Sequence, residues 1–283
     1  MIYMNSQATG EPVAKEILAY DVDGVLTSPS EKRLVYDEIV HHIADQMREG
    51  AQVVFNTGRS TSWVERIVLP GLIAALGESI KYLSNLCIIG EKGNAYTAFD
   101  QDGTPRRDQL PGGVPDGLKQ AVLKLAGQYD DIMGNLEPKS TMLSLEMLDG
   151  VAIADYQAQR GPFIKAVKEL VSGNPVWSQA FRVDATTIAV DIEPCDAGKA
   201  KGIKRFLQIL EERGIDYSSA IFKVFGDSPS DIAMAYEMTN AGLKGVFVYV
   251  GDDIKALPPV DSLNVINVGG FDAGTLSYLA RGA

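Results

Sequence analysis

Ile17-Leu18-Ala19-Tyr20-Asp21-Val22-Asp23-Gly24-Val25-Leu26-Thr27 is the stretch on which the reading of this protein turns. Four apolar residues run straight into a turn with two carboxylates. Residues 17–20 are therefore expected to form a short buried strand with Asp21 at its carboxyl end. The rhythm then repeats. A helix is expected at about 34–49, with Ile39, Val40, Ile43 and Met47 on one face and Gly50 as its stop. Val53-Val54-Phe55 reads as a second buried strand ending at Asn56-Thr57-Gly58-Arg59. A helix over about 60–76 and a strand at Leu86-Cys87-Ile88-Ile89 follow. Short buried strands alternating with amphipathic helices predict an α/β fold, a doubly wound, Rossmann-like parallel sheet covered on both faces.

After about residue 95 the pattern changes. Asp100 to Gly117 is rich in Gly, Pro, Asp and Arg and reads as turns or a hairpin loop. Helices at about 114–128 and 155–172 and strands at Thr141–Leu148 and Thr186–Ile192 predict a small antiparallel sheet with one open face. From about 195 the first rhythm resumes: a helix at 198–213, the strand Ala220–Phe225 leading to Gly226-Asp227, a helix at 229–240, strands at Val246–Val250 and Asn264–Val268, and a short closing helix. Residues 1–96 and 194–283 are thus expected to build one core domain, with 97–193 inserted as a second, α+β domain. No internal repeat or low-complexity linker is visible.

Of the 283 residues, 46% are hydrophobic and 22% charged, which is a globular composition. Acidic residues outnumber basic ones 37 to 26, a formal net charge of −11. Such a surface repels nucleic acid and anionic membrane, so an anionic ligand needs local positive features. Cys87 and Cys195 are too few for a disulfide framework and lack metal-ligand spacing; both are read as structural. His41 and His42 are adjacent and cannot share a helix face. The N-terminus has no signal-peptide pattern and no apolar run is long enough to span a bilayer, so a cytoplasmic protein is expected. The oligomeric state stays open.

Ligands of such sheets bind beyond the carboxyl ends of the strands. Four polar elements sit there: Asp21 with Asp23, Thr57 with Gly58, Lys199 at a helix start, and Asp227 with Asp231. Two close carboxylates repel unless a cation lies between them. Oxygen ligands without histidine or thiol favour a hard ion, and Mg²⁺ suits a site shared with phosphate. One carboxylate can attack phosphorus while the other handles protons. A turn with a capping aspartate accounts for Asp-x-Asp-Gly equally well, and Val25-Leu26 interrupts the oxygen ligands a calcium loop would need. Thr57 offers a hydroxyl, and with Gly58 backbone N–H groups, to a phosphate oxygen; a helix cap is the competing reading. Lys199 is an ammonium in a helix's first turn, disfavoured there unless an anion is near; a solvated lysine is its alternative. Asp227 and Asp231 have the spacing of one metal ligand and a second that orients it, or of acids at a proline-started helix.

Taken together, Asp21-Val22-Asp23-Gly24-Val25-Leu26-Thr27, Thr57-Gly58-Arg59, Lys199 with Gly202, and Gly226-Asp227-Ser228-x-x-Asp231 resemble, in order, the four motifs of the haloacid-dehalogenase-like phosphatase superfamily. The long interval from Thr57 to Lys199 is similar to the subgroup of Cof-type and sucrose-phosphate phosphatases, whose large cap follows the second motif. Ser230 stands where many relatives have asparagine, and Val25 where threonine is frequent. The resemblance implies a Mg²⁺-dependent phosphohydrolase acting on a small phosphorylated metabolite, a sugar phosphate by cap type, through an aspartyl-phosphate on Asp21. Asp23 would be the general acid and base, and Thr57, Gly58 and Lys199 would bind the phosphoryl group. Asp21, Asp227 and the Asp23 backbone carbonyl would hold the metal, with Asp231 in support. Lys139, Ser140, Arg160 and Lys165 are the cap candidates for substrate contact. A phosphosugar mutase, a non-catalytic binding or regulatory protein on this scaffold, and an unrelated nucleotide-binding domain are the alternatives; the last lacks a Gly-rich loop after the first strand.

Overall fold

The computed structural model describes residues 13–258 and 262–281. The leader-free N-terminus expected from the sequence lies outside the described residues. Among the described residues no single helix is long and apolar enough to cross a membrane.

Strands β1 (Glu16–Tyr20), β2 (Gln52–Asn56) and β3 (Leu86–Gly90) pair in parallel, and a hairpin of β4 (Ala95–Phe99) and β5 (Pro105–Gln109) continues from them antiparallel. The polypeptide then builds β6 (Met133–Glu137), β7 (Leu143–Met147), β8 (Phe181–Ala185) and β9 (Ala189–Pro194) as a separate sheet. It returns to the first sheet with β10 (Ile221–Gly226), β11 (Lys244–Tyr249) and β12 (Asn264–Asn267). The large sheet has the order β12-β11-β10-β1-β2-β3-β4-β5 and is mixed; the small one, β6-β7-β9-β8, is antiparallel throughout.

Helices α1 (Asp37–Arg48), α2 (Thr61–Ile67), α3 (Leu69–Leu76), α4 (Asp116–Ala126), α5 (Ile153–Gln159), α6 (Gly161–Ser172), α7 (Pro175–Ala180), α8 (Lys199–Glu212), α9 (Ile232–Asn240) and α10 (Phe271–Leu279) cover these sheets. The period-2 alternation of β1 divides its side chains between two cores. Leu18 and Tyr20 pack with Ile39, Ile43 and Met47 of α1 and Leu72 of α3, whereas Ile17 and Ala19 pack with Phe206 and Leu210 of α8 and Met234 of α9. Burial on both faces is why β1, β2 and β3 read as unbroken apolar runs. Gly50 follows α1 at φ +95°, the left-handed stop its position predicts. Cys87 is buried, its thiol pushed up to about 12 by desolvation; Cys195, read as structural, is exposed.

Four expectations need correction. The helix over 155–172 is two, α5 and α6, which meet at Arg160 just ahead of Pro162. The helix over 60–76 is broken at Val68, because Pro70 lacks an N–H and clashes with the preceding turn. The insert does not begin at 97: that residue lies within β4, and the Gly- and Pro-rich stretch encodes the turn and outer strand of a hairpin on the large sheet. Asp100 N–H donates to Thr104 C=O at 3.0 Å across that turn, and the exposed charges of β5 suit a sheet edge. The small sheet has four strands where two were expected. Helices α4 and α6 pack on one of its faces through Leu118, Val122, Phe163 and Val167. Its other face carries Ser144, Glu146, Asp191 and Glu193 towards the large sheet's strand ends.

Candidate active site

β1 pairs with both β2 and β10, so their carboxyl ends lie side by side where the strand order reverses. Ligands bind at such a switch point. Asp21 follows β1: its N–H donates to Phe225 C=O at 3.0 Å, and its Oδ1 accepts from Val22 N–H at 2.7 Å. The backbone then turns through a loop in which Gly24 N–H donates to Thr27 C=O at 2.9 Å. Gly24 has φ +77°, and a Cβ there would stand 2.3 Å from Asp227 Oδ2. Glycine therefore both permits the turn and lets the β1 loop touch the residue ending β10.

Asp227 follows Gly226, and Asp231 starts the next helical segment with a capping box: its Oδ2 accepts from Ser228 N–H at 3.0 Å and Ser228 O–H at 2.7 Å. Asp21, Asp227 and Asp231 present carboxylate oxygens all within 4.8 Å of one another. Lys199 enters this trio from α8. Its ammonium is ion-paired to Asp21 Oδ1, lies 3.1 Å from Asp231 Oδ1 and donates to the backbone carbonyl of Asn56 at 2.6 Å. Burial works against this ammonium, yet Asp21 and Asp231 hold it above the usual lysine range. The acids are under opposite pressure. Burial first and Asp231 second push Asp21 well above the carboxylate range and Asp227 to about 7.

A hard divalent cation fits this donor set. Three oxygen-only groups crowd together with a single cation to balance them, and histidine and thiol are absent from the cluster. The Asp23 carboxylate stands outside it. Arg59 forks onto it, with Nε 3.1 Å from Oδ2 and Nη2 3.3 Å from Oδ1.

Thr57 is buried after β2. Its N–H donates to Ile89 C=O at 2.9 Å, and its Oγ1 accepts from Arg59 N–H at 3.1 Å. The helix-cap alternative fails for Thr57, because Ser60 is the cap of α2, accepting from Trp63 N–H. Gly58 lines the cleft next to Lys92.

The small sheet roofs the site through three side chains of the core domain. Arg59 Nη1 lies 3.0 Å from Glu146 and 3.6 Å from Glu137. Glu91 is buried and accepts from Ser140 N–H at 2.8 Å and from Thr141 N–H and O–H, both at 2.6 Å. Lys92 Nζ reaches Asp184 at 2.8 Å, Asp191 at 3.3 Å and Glu193 at 2.5 Å. A cleft of about 420 Å³ remains between the layers, lined by Asp23, Gly58, Arg59 and Asp227 below and by Lys139, Ser144, Glu146 and Asp191 above. Of the cap candidates, Lys139 lines it, paired with Glu137 at 2.9 Å. Ser140 is held through its N–H by Glu91, Arg160 donates to Thr186 C=O, and Lys165 is exposed near Glu169. Glu91 and Lys92 escape the sequence reading, although they follow β3 directly and the strand-end rule that finds the other four elements applies to them.

The fold, a Rossmann-like α/β core with an α+β domain inserted between its halves, is shared with solved phosphatases and a nucleotidase. Among solved structures, the C-terminal domain of C. albicans trehalose-6-phosphate phosphatase matches with a TM-score of 0.64 at 14% identity, over 94% of this protein and 92% of that one. A trehalose-6-phosphate phosphatase related protein matches at 0.57 and 13%, over 94% and 96%. An N-terminally truncated Plasmodium falciparum IMP-nucleotidase matches at 0.56 and 12%, over 94% of this protein and 70% of that one. At these identities it is the fold that is shared. No protein-family model matches the sequence, and no curated protein does.

Proposed function

We propose that this protein is a phosphoric monoester hydrolase that forms an aspartyl-phosphate on Asp21. The observation that carries this reading is the buried Lys199 ammonium set between Asp21 and Asp231, beside a cleft to which Asp23 and Asp227 contribute. A carboxylate at a strand end, a buried cation paired with it and a further carboxylate on the adjoining loop suit nucleophilic attack on a phosphoryl group.

In the first step an Asp21 Oδ attacks phosphorus and the P–O bond to the leaving group breaks. Asp23 gives its proton to the departing oxygen. In the second step water attacks the same phosphorus, Asp23 takes the water's proton, and the P–O bond to Asp21 breaks, releasing phosphate. General acid–base help of this kind is worth roughly 10²–10⁴-fold. Lys199, Thr57 and the N–H groups about Gly58 bind the equatorial oxygens, where charge spreads in the transition state. Asp21, Asp227 and Asp231, with the backbone of Asp23, would hold Mg²⁺, which would supply charge neutralisation at the transferring phosphoryl oxygens. The cap excludes water from the cleft while the ester bond breaks.

Sugar phosphates are the proposed substrate class. The roof offers Ser144, Asp191 and Glu146, groups that hydrogen-bond hydroxyls, and the cleft volume falls within the range of small-ligand sites. Phosphate release from a panel of phosphorylated sugars and acids, with Mg²⁺ or with EDTA, tests the reading. Mg²⁺-dependent release that disappears in folded Asp21→Asn is the expected result; a retained rate in that variant would sink it. Transfer of the phosphoryl group to a second sugar hydroxyl, in place of release, would mark a mutase.

A further inference from the structure

Asn56 is the last residue of β2 and has no exposed surface. A buried carboxamide is costly unless its polar atoms are partnered. Its Nδ2 donates to the backbone carbonyl of Lys199 at 2.8 Å, and its own backbone carbonyl accepts from Lys199 Nζ at 2.6 Å. Its Oδ1 has no hydrogen-bond partner among the described residues, so the hydrogen bond its side chain makes there is the one to Lys199.

The facing helix has made room for it. A Cβ on Gly202 would stand 2.3 Å from Asn56 Oδ1 and 2.7 Å from both Cγ and Nδ2. Lys199 is the first residue of α8, and Gly198 before it has no side chain to cap the helix. The positive end of a helix repels an ammonium, so α8 by itself gives Lys199 no reason to stay at the site. Asp21 and Asp231 attract the ammonium, and β2 adds the two bonds that fix the residue's backbone and Nζ together.

We propose that Asn56 is a positioning residue that holds Lys199 at both ends, backbone and ammonium, and so keeps the cation between Asp21 and Asp231. Its catalytic consequence rests on the phosphohydrolase reading above; its geometry does not.

Full-length Asn56→Ala, Gly202→Ala and the double variant are compared in p-nitrophenyl phosphate hydrolysis and in inhibition by orthovanadate. Displacing Lys199 costs transition-state binding, so kcat falls on the order of 10- to 100-fold while KM changes by no more than about threefold. The vanadate inhibition constant rises in step with the loss in kcat. Gly202→Ala gives the same split, because its methyl drives the amide off the Lys199 carbonyl. In the double variant that methyl enters the space the amide has left, and it restores packing should Asn56→Ala alone fold poorly. Its kcat therefore matches that of Asn56→Ala. Losses that multiply, or a fall in stability with kcat and vanadate binding unchanged, would overturn the proposal.

A crystal structure of Asn56→Ala gives an arm that needs no turnover. A Lys199 Nζ displaced by about 1 Å or more is expected; one still seated between Asp21 and Asp231 refutes the role. If the wild-type protein hydrolyses no ester at all, the functional reading fails, and this crystallographic arm alone decides the part played by Asn56.

Discussion

Replacing Lys92 by Met tests how the cap is held. The Met side chain keeps most of the lysine stem, so packing changes little and the charge is what is removed. Lys92 is 17% exposed, and its partners Asp191 and Glu193 are 5% and 0% exposed, with Asp184 half in solvent. Breaking a buried ion pair from one side costs about 3–5 kcal/mol, because the other charge is left in a poor medium. That figure needs reducing here. Glu193 keeps Arg182 at 2.8 and 2.9 Å, and Asp191 keeps the Ser144 hydroxyl. A loss of about 2–4 kcal/mol is expected, or roughly 3–8 °C in Tm for a protein of this size. Burial lowers the Lys92 pKa, but Asp191 and Glu193 outweigh it and raise the folded value. A raised lysine contributes its full stability below the unfolded value near 10.4, so the loss from this group should stay level from about pH 6 to about pH 9. Urea unfolding in EDTA is the assay, with Asp191→Asn/Glu193→Gln added to Lys92→Met as the control. Neutralising the orphaned acids should recover more than half of the loss. A deficit below about 1 kcal/mol, or no recovery, would refute the view that this ammonium neutralises the roof.

Asp227→Asn should change how metal-free stability depends on pH. The folded carboxyl is raised to about 7, so its contribution falls as pH rises from the unfolded value near 4 towards 7; in EDTA the variant should gain on wild type steadily across that range and level off near pH 8. A pH-independent difference in urea midpoints would contradict this. Gly24→Ala places a methyl at a left-handed φ and against Asp227, so a loss of about 1–3 kcal/mol is expected together with a smaller rise in Tm on adding Mg²⁺. Unchanged melting with and without the ion would disprove the contact. Glu91→Gln removes a charged acceptor that three donors share, and faster amide hydrogen exchange at Ser140 and Thr141 is its expected signature.

The large sheet is legible in the sequence because its central strands are buried on both faces. Leu18 and Tyr20 face one core and Ile17 and Ala19 the other, so no polar residue interrupts the run. The small sheet hides half its strands for the converse reason. Phe181 and Val183 of β8 face the helices, while Arg182 and Asp184 face the charges of the core domain, giving a five-residue alternation too short to stand out. The edge strand β5 reads as loop because Arg106 and Arg107 find their partners Asp100 and Glu65 only after folding. The site divides in the same way. Asp21, Thr57, Lys199 and Asp227 are visible because each adjoins a strand end or helix start. The role of Asn56 and Gly202 is not, because it lies in one contact between segments 146 residues apart in sequence, positions 56 and 202.

On the proposed function, the same contacts bear on how so acidic a protein would receive an anion. With all three carboxylates ionised, Asp21, Asp227 and Asp231 against Lys199 give three negative charges to one positive, a formal −2. A phosphomonoester dianion has no reason to approach that charge in a medium of low dielectric. The metal-free site relieves itself by holding protons, which is the meaning of the raised Asp21 and Asp227. A protonated Asp21, however, has lost the charge that makes it a nucleophile. Ionised nucleophile and bound anion are therefore compatible only when two further positive charges join the trio, which is what a divalent cation brings. With the total then at zero, the proposed function leaves the Lys199 ammonium to decide where phosphoryl oxygens would settle, and Asn56 on the neighbouring strand adds to the acids' hold on it from outside the cluster.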